Sequence, residues 1–195
     1  MSAPAARDLR EQILLEAKHL FIEQGYHGLS MRQIAEAVGV SKAALYYHFR
    51  DKEELFLAIL EIYLDEIEAI LDRVQAEGTT CRQQITALVE AILSQPAEQR
   101  AVIRLASQEM SQLNAEVRQD FNQTYHKKFI DKIQAILKAG VESGELKPID
   151  TGVATWALLG MMYPYFYPAH SYDTPPPSDV AKQLLEIYLD GVCDY

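Results

Sequence analysis

Between Ser30 and Lys52 the chain reads SMRQIAEAVGVSKAALYYHFRDK, and this stretch leaves the backbone few choices. Ser30 followed three positions later by Gln33 forms a capping box, which predicts a helix from Met31 with Ile34, Ala35 and Val38 on its inner stripe. Gly39 ends that helix, because glycine takes the left-handed conformation that closes a C-terminus and lets Val40 fold back beside Val38. Ser41 supplies the next N-cap and opens a second helix of about two turns. In it Leu45 and Phe49, four apart, face inward. Two short helices across a tight turn are the outline of a helix-turn-helix.

The second helix then presents Lys42, Ala43, Ala44, Tyr46, Tyr47 and His48 on its remaining surface. A solvated face normally carries Glu, Lys and Gln. Small residues at the leading end instead allow a helix to sit deep in a major groove, where Ala methyls meet thymine methyls, and Tyr hydroxyls and Lys ammonium groups suit phosphates at the groove walls. The candidate DNA-binding set is Ser30, Arg32, Ser41, Lys42, Ala43, Ala44, Tyr46, Tyr47, His48 and Lys52. A plainer role, in which Tyr46 or Tyr47 only covers a small core, stays open.

Taken with Gly25-Tyr26, Ile34-Ala35, Gly39-Val40-Ser41, Leu45-Tyr46, His48-Phe49 and Lys52-Glu53, the region from Arg7 to Leu60 resembles the DNA-binding domain of the TetR family of transcriptional regulators. Many members carry Gly-Thr where this chain has Ala43-Ala44, so the polar base contact of a Thr is absent and readout leans on Lys42, methyl contacts and DNA shape. The resemblance implies an all-α protein of about nine helices. Residues 1 to 52 form a three-helix DNA-binding domain, and residues 53 to 195 a helical effector-binding and dimerisation domain.

A formal net charge of -10 is unusual for a DNA binder until it is divided along the chain. Residues 1 to 52 hold seven Lys/Arg against six Asp/Glu, and the rest hold eleven against twenty-two. The acidity lies away from the reading head, and electrostatic attachment falls to Lys42, Arg32, Arg50 and Lys52. Only Cys81 and Cys193 are present, in no metal or redox spacing, which predicts two free thiols in a reduced, cytoplasmic setting. The start lacks an apolar leader core, and the apolar run Val153 to Tyr167 is too short for a bilayer, so no membrane partner is expected.

Residues 1 to 7 read as a short tail, either a free terminus or an arm placing Arg7 in a minor groove. Asp8 with Glu11 is a cap-like pair ahead of a first helix ending at Gly25. Asp51 with Glu54 caps a connector helix to about Gln75, whose broad apolar belt calls for more than one neighbour, and whose Lys52 is placed to reach a phosphate. Its acidic run Asp65, Glu66 and Glu68 reads as a solvated face. Thr80 with Gln83 caps a fifth helix, and Pro96 starts a sixth running to about Gln112. A long helix spans about Ala115 to Val141. Asp150 opens an eighth, ATWALLGMMYPYFY, apolar on every side and therefore expected to be central, with Pro164 disturbing its last turn. Pro168 to Ser178 is a stiff loop before a last helix with two apolar faces.

Glu109 beside Met110 could anchor a cationic ligand in an apolar pocket, point to solvent or pair with Arg104. The candidate effector set is Leu105, Glu109, Met110, Tyr125, Phe129, Trp156, Met161, Tyr163 and Tyr165. Met adapts to irregular shapes and Tyr adds a hydroxyl at an apolar wall, though core packing or a subunit interface is the more ordinary role for any single one of them. From the family resemblance the last two helices pair with those of a second copy. Such a homodimer sets two recognition helices one helical turn apart, roughly 34 Å, on a pseudo-palindromic operator.

The function these features favour is a sequence-specific DNA-binding transcriptional regulator, a homodimeric repressor released by a small hydrophobic or amphipathic ligand. The alternative is a helical protein-binding adaptor with an acidic interaction domain. An enzyme is not expected, nor a cofactor or metal: there is no CxxC, no HExxH and no phosphate-binding glycine loop, and Gly39-Val40-Ser41-Lys42-Ala43 lacks the second glycine of a nucleophile elbow.

Overall fold

The computed structural model describes residues 8–167 and 178–192. The short N-terminal tail, the proline-rich loop and Cys193 lie outside the described residues. All regular elements are helical: α1 (Leu9–Gln24), α2 (Met31–Val38), α3 (Lys42–His48), α4 (Lys52–Glu77), α5 (Cys81–Leu93), α6 (Ala97–Glu109), α7 (Ala115–Tyr125), α8 (Asp131–Glu142), α9 (Thr151–Met162) and α10 (Ser178–Val192). A π turn, His126–Ile130, joins α7 to α8 as one continuous rod, which gives nine helical rods among the described residues. Two short 3₁₀ segments, Met110–Gln112 and Tyr163–Phe166, continue α6 and α9.

Local side chains start most of these helices. Ser30, Ser41, Asp51, Thr80 and Asp150 each accept a backbone N–H from the first turn they precede. Asp8 does not: its side chain makes no cap hydrogen bond, and the expected Asp8–Glu11 pairing is absent. Pro164 lies in the 3₁₀ turn that ends α9, as its missing N–H requires.

Helix α4, roughly 39 Å long at 1.5 Å per residue, enters two cores. Its first half, Leu55 to Leu60, packs with Ile13, Ala17 and Phe21 of α1, Ile34 of α2, Leu45 and Phe49 around α3, and Val102 and Leu105 of α6. Its second half, Leu64 to Val74, packs with Ile85, Leu88 and Val89 of α5, Ile133, Ile136 and Leu137 of α8, Leu158 and Met162 of α9, and Leu185 and Leu189 of α10. The broad apolar belt of α4 is thus explained by two sets of neighbours.

Two expectations change. The acidic stretch on α4 is not merely solvated, since Lys128 bridges Asp65 and Glu68 (3.3 Å to Glu68), and Lys132 bridges Glu68 (3.1 Å) and Asp72. The hydrogen bond from Lys132 is the main cause that holds the Glu68 carboxyl below its usual range. Nor is α9 covered on all sides. Ala154, Leu158 and Met162 are buried, whereas Val153 is 68% and Trp156 52% exposed. Its inner face meets α8 and α10, and the apolar outer face has no covering element among the described residues.

Glu145 closes a long-range cap that local spacing does not reveal. Its carboxylate accepts the backbone N–H groups of Cys81 and Arg82, both at 2.8 Å, satisfying two donors in the first turn of α5. Beside it the backbone of Gly140 presses on α5: an added Cβ would stand 2.8 Å from Cys81 Sγ and 2.9 Å from Leu146 Cδ1. Gly140→Ala should therefore destabilise the fold by about 1–3 kcal/mol through overpacking, measured as a lower urea midpoint.

Candidate nucleic-acid interface

Two short helices are held at a fixed angle by hydrogen bonds local to their ends. Gln33 N donates to Ser30 Oγ at 3.3 Å and Ser30 N donates to Gln33 Oε1 at 2.9 Å, completing the capping box. At the far end Gly39 adopts φ 79° and ψ 27°, the left-handed region, with Gly39 N donating to Glu36 O and Val40 N to Ala35 O at 3.0 Å. Ala44 N then donates to Ser41 Oγ at 3.1 Å. No other residue type enters that left-handed corner with as little strain as glycine.

Beneath this turn Ile34 and Leu45 are fully buried and Phe49 is 1% exposed, with the Arg10 guanidinium 5.2 Å from the Phe49 ring centroid. The burial of Leu45 and Phe49 fixes the rotation of α3, and that rotation decides what faces outward. Tyr47 is 85% and Tyr46 43% exposed, Lys42 and Ala43 are exposed, and Ala44 and His48 are half-buried. The Lys42 ammonium lies 5.6 Å from the Tyr46 ring centroid, and Tyr47 meets the His48 ring edge-on at 5.2 Å. Ser30 and Ser41 are exposed and commit their hydroxyls to capping.

The nearby cations differ in what holds them. Arg32 pairs with Glu36 at 2.8 Å, and Arg50 with Asp51 at 3.0 Å, all largely exposed. Among the described residues Lys42 forms no ion pair. Lys52, expected to reach a phosphate, points inward: its ammonium donates to Tyr26 O at 2.6 Å and Leu29 O at 2.8 Å, 4.1 Å from the Tyr26 ring centroid. Burial pushes its pKa below the ordinary lysine value, while the charge of Glu109 pulls the other way.

The nine residues proposed for an effector are not gathered in one place. Leu105 and Met110 pack into the core under the helix-turn-helix. Glu109 closes α6 beside the reading head, with a carboxylate oxygen 3.2 Å from where a Cβ on Gly25 would stand. Helix α6 packs on α1 and α4 and also on the Tyr163–Phe166 turn, so Glu109 lies at the junction between the reading head and the tyrosine cluster. Phe129 is buried in the second core and Tyr125, Met161, Tyr163 and Tyr165 pack against it. Burial raises the Tyr125 phenol to about 12. Trp156 stands on the bare outer face of α9, 6.3 Å from the His126 ring.

Sequence reasoning missed the polar groups that accompany this cluster. Ser107 Oγ hydrogen-bonds Tyr163 Oη at 2.7 Å, which in turn bonds Tyr167 Oη at 2.6 Å, tying α6 to the end of α9. The hydroxyl of the half-buried Tyr63 donates to Gln95 Oε1 at 2.8 Å. A shallow, open depression of about 520 Å³ lies along Ala115, Arg118, Gln119, Asn122, Gln123 and His126, none of them in the predicted set. Spacing along α7 places these side chains on one stripe, but only the packed structure marks that stripe as concave.

Residues 13–59 match the family model for bacterial regulatory proteins of the TetR family, and residues 78–167 match a tetracyclin repressor-like C-terminal domain. The chain is 28% identical over 202 residues to the transcriptional repressor KstR2 of Rhodococcus jostii, covering 98% of each. It is 40% identical over 82 residues to the transcriptional activator FasR of Mycolicibacterium smegmatis, covering 42% of this chain and 37% of that protein. Among solved structures, AibR in complex with isovaleryl coenzyme A and operator DNA is 26% identical and superposes with a TM-score of 0.76, over 92% of this chain and 97% of that one. With its helix-turn-helix and its helical C-terminal part both matched, the chain belongs to the TetR family of DNA-binding transcriptional regulators.

Proposed function

We propose that the protein is a homodimeric repressor that binds a pseudo-palindromic operator in the cytoplasm through α3 and is released by a small amphipathic ligand. The observation that carries this reading is the outward face of α3, where Lys42, Ala43, Tyr46 and Tyr47 stand exposed above a fully buried Leu45. Small residues at the leading end of that helix approach base edges, while Lys42, Tyr46 and Tyr47 meet the flanking phosphates. Arg32 and His48 border the same face, and the Ser30 and Ser41 caps hold it in place. Residues 1 to 52 form the reading head and residues 53 to 195 the effector and dimerisation part, with α4 shared.

Support for a dimer comes from apolar side chains left bare on the last two helices, Val153 and Trp156 on α9 and Ile187, 66% exposed, on α10. An apolar patch of that kind on paired helices suits an isologous four-helix interface. Support for the ligand class comes from the similarity to AibR, whose structure holds isovaleryl coenzyme A and operator DNA. An acyl group suits the edge of the second core, where Tyr125 stands beside Phe129 and Met161, Tyr163 and Tyr165 pack against the same core. The ligand acts by binding more tightly to the conformation whose recognition helices no longer match successive grooves.

Fluorescence anisotropy with the duplex flanking the protein's own gene tests the DNA reading. Specific binding is expected, and Lys42→Met should weaken it and reduce the salt slope by about 1, the share of a single phosphate. Absence of sequence-specific binding at moderate salt would overturn the reading. In sedimentation velocity the wild type should run as a dimer and Trp156→Glu as a monomer. Isovaleryl coenzyme A at about 100 times its dissociation constant should stabilise the protein by about 2.7 kcal/mol, read as a rise in melting temperature, and should release the duplex.

A further inference from the structure

We infer that Lys52 is a positioning residue that locks the turn between α1 and α2, rather than a phosphate anchor on the DNA surface. The inference rests on the DNA-regulator reading above but assigns this lysine the opposite orientation. Its Nζ is seated by two backbone carbonyls, Tyr26 O at 2.6 Å and Leu29 O at 2.8 Å, at the two ends of one turn. The face of the Tyr26 ring, 4.1 Å from the ammonium at its centroid, closes a third side. Three donors on a tetrahedral ammonium suit such a seat, and each bond to the cation is stronger than one between neutral groups.

The turn held in this way carries the reading head. Leu29, 4% exposed, immediately precedes the Ser30 cap, so the position of its carbonyl sets where α2 begins. Tyr26 in turn packs against Phe21 and Phe56, with ring centroids 5.9 Å and 5.1 Å away. One ammonium therefore ties α4, the α1–α2 turn and the start of α2 together, and α3 follows α2 through the Gly39 corner.

Two carboxylates lie near this seat. Glu109, at the end of α6, favours the charged ammonium electrostatically without forming an ion pair with it. Glu53, the next residue in α4, accepts the Asn114 backbone N–H at 2.6 Å and pins the first turn of α4 to the corner between α6 and α7. Swinging Lys52 out to a phosphate would leave two carbonyls of the turn without their donor, a cost set against whatever the phosphate supplies.

Hydrogen exchange of the free protein, combined with the salt dependence of duplex binding, separates the two roles. In Lys52→Met, amide exchange over residues 26–31 should rise about tenfold, the loss of one charge-assisted hydrogen bond. Duplex affinity should fall while the slope of log K against log salt stays at the wild-type value, whereas Lys42→Met should lose about 1 from that slope. Lys52→Arg keeps the charge but does not fit a seat shaped for an ammonium, and should behave like Lys52→Met. A slope reduced by about 1 in Lys52→Met, with unchanged exchange over residues 26–31 and full rescue by arginine, would overturn the inference. Were the wild type to bind no duplex, the regulator reading would fall, and the exchange measurement on the free protein would still decide the role of Lys52.

Discussion

One helix belongs to two hydrophobic cores, and the relation between reading head and body depends on it. Phe56 and Leu60 of α4 are buried with α1, α2 and the end of α3, and Leu64, Leu71 and Val74 are buried with α5, α8 and α10. Each such side chain contributes roughly 1.5–3 kcal/mol by leaving water, so neither end of the helix is free to detach. Because both interiors are close-packed, α4 is the direct mechanical link between the two cores. Helix α6 reinforces this link, since Val102 and Leu105 reach the first core while Ser107 bonds Tyr163 near the second.

The electrostatics of the reading head follow a different logic. Its arginines are engaged with carboxylates on the same surface, Arg32 with Glu36 and Arg50 with Asp51. Exposed pairs of this kind stabilise little in water and exchange readily for phosphates. The rest of the chain is acidic, with eleven Lys/Arg against twenty-two Asp/Glu, and adds no net attraction to a duplex. On the proposed reading, few charged contacts are left to orient the protein on DNA, and shape and methyl packing at Ala43 and Ala44 would share the readout with Lys42.

Helix starts were legible wherever the signal was local. Ser30 with Gln33, Asp51 with Glu54 and Thr80 with Gln83 are pairs three residues apart, and all three make the hydrogen bond that their spacing implies. Asp8 had the same spacing and made none. Its helix is anchored by Ile13, Ala17 and Phe21 in the core, and burial there positions the backbone without help from the cap. Long-range partners were invisible to spacing: Glu145 on the first turn of α5, Lys128 and Lys132 on α4, and Ser107 on Tyr163.

The sequence by itself determined the helix-turn-helix, because its caps, its left-handed glycine and its two inward side chains all act within a few residues of one another. It also determined that α4 needs two sets of neighbours. Only the tertiary structure decided that Glu109 reaches Gly25 at the end of α1, that Lys52 turns toward the carbonyls of Tyr26 and Leu29, and that Val153 and Trp156 on one side of α9 are left exposed among the described residues. Those outcomes depend on which helices meet and at what angle, and a side chain's direction in space follows from that packing rather than from its place along the chain.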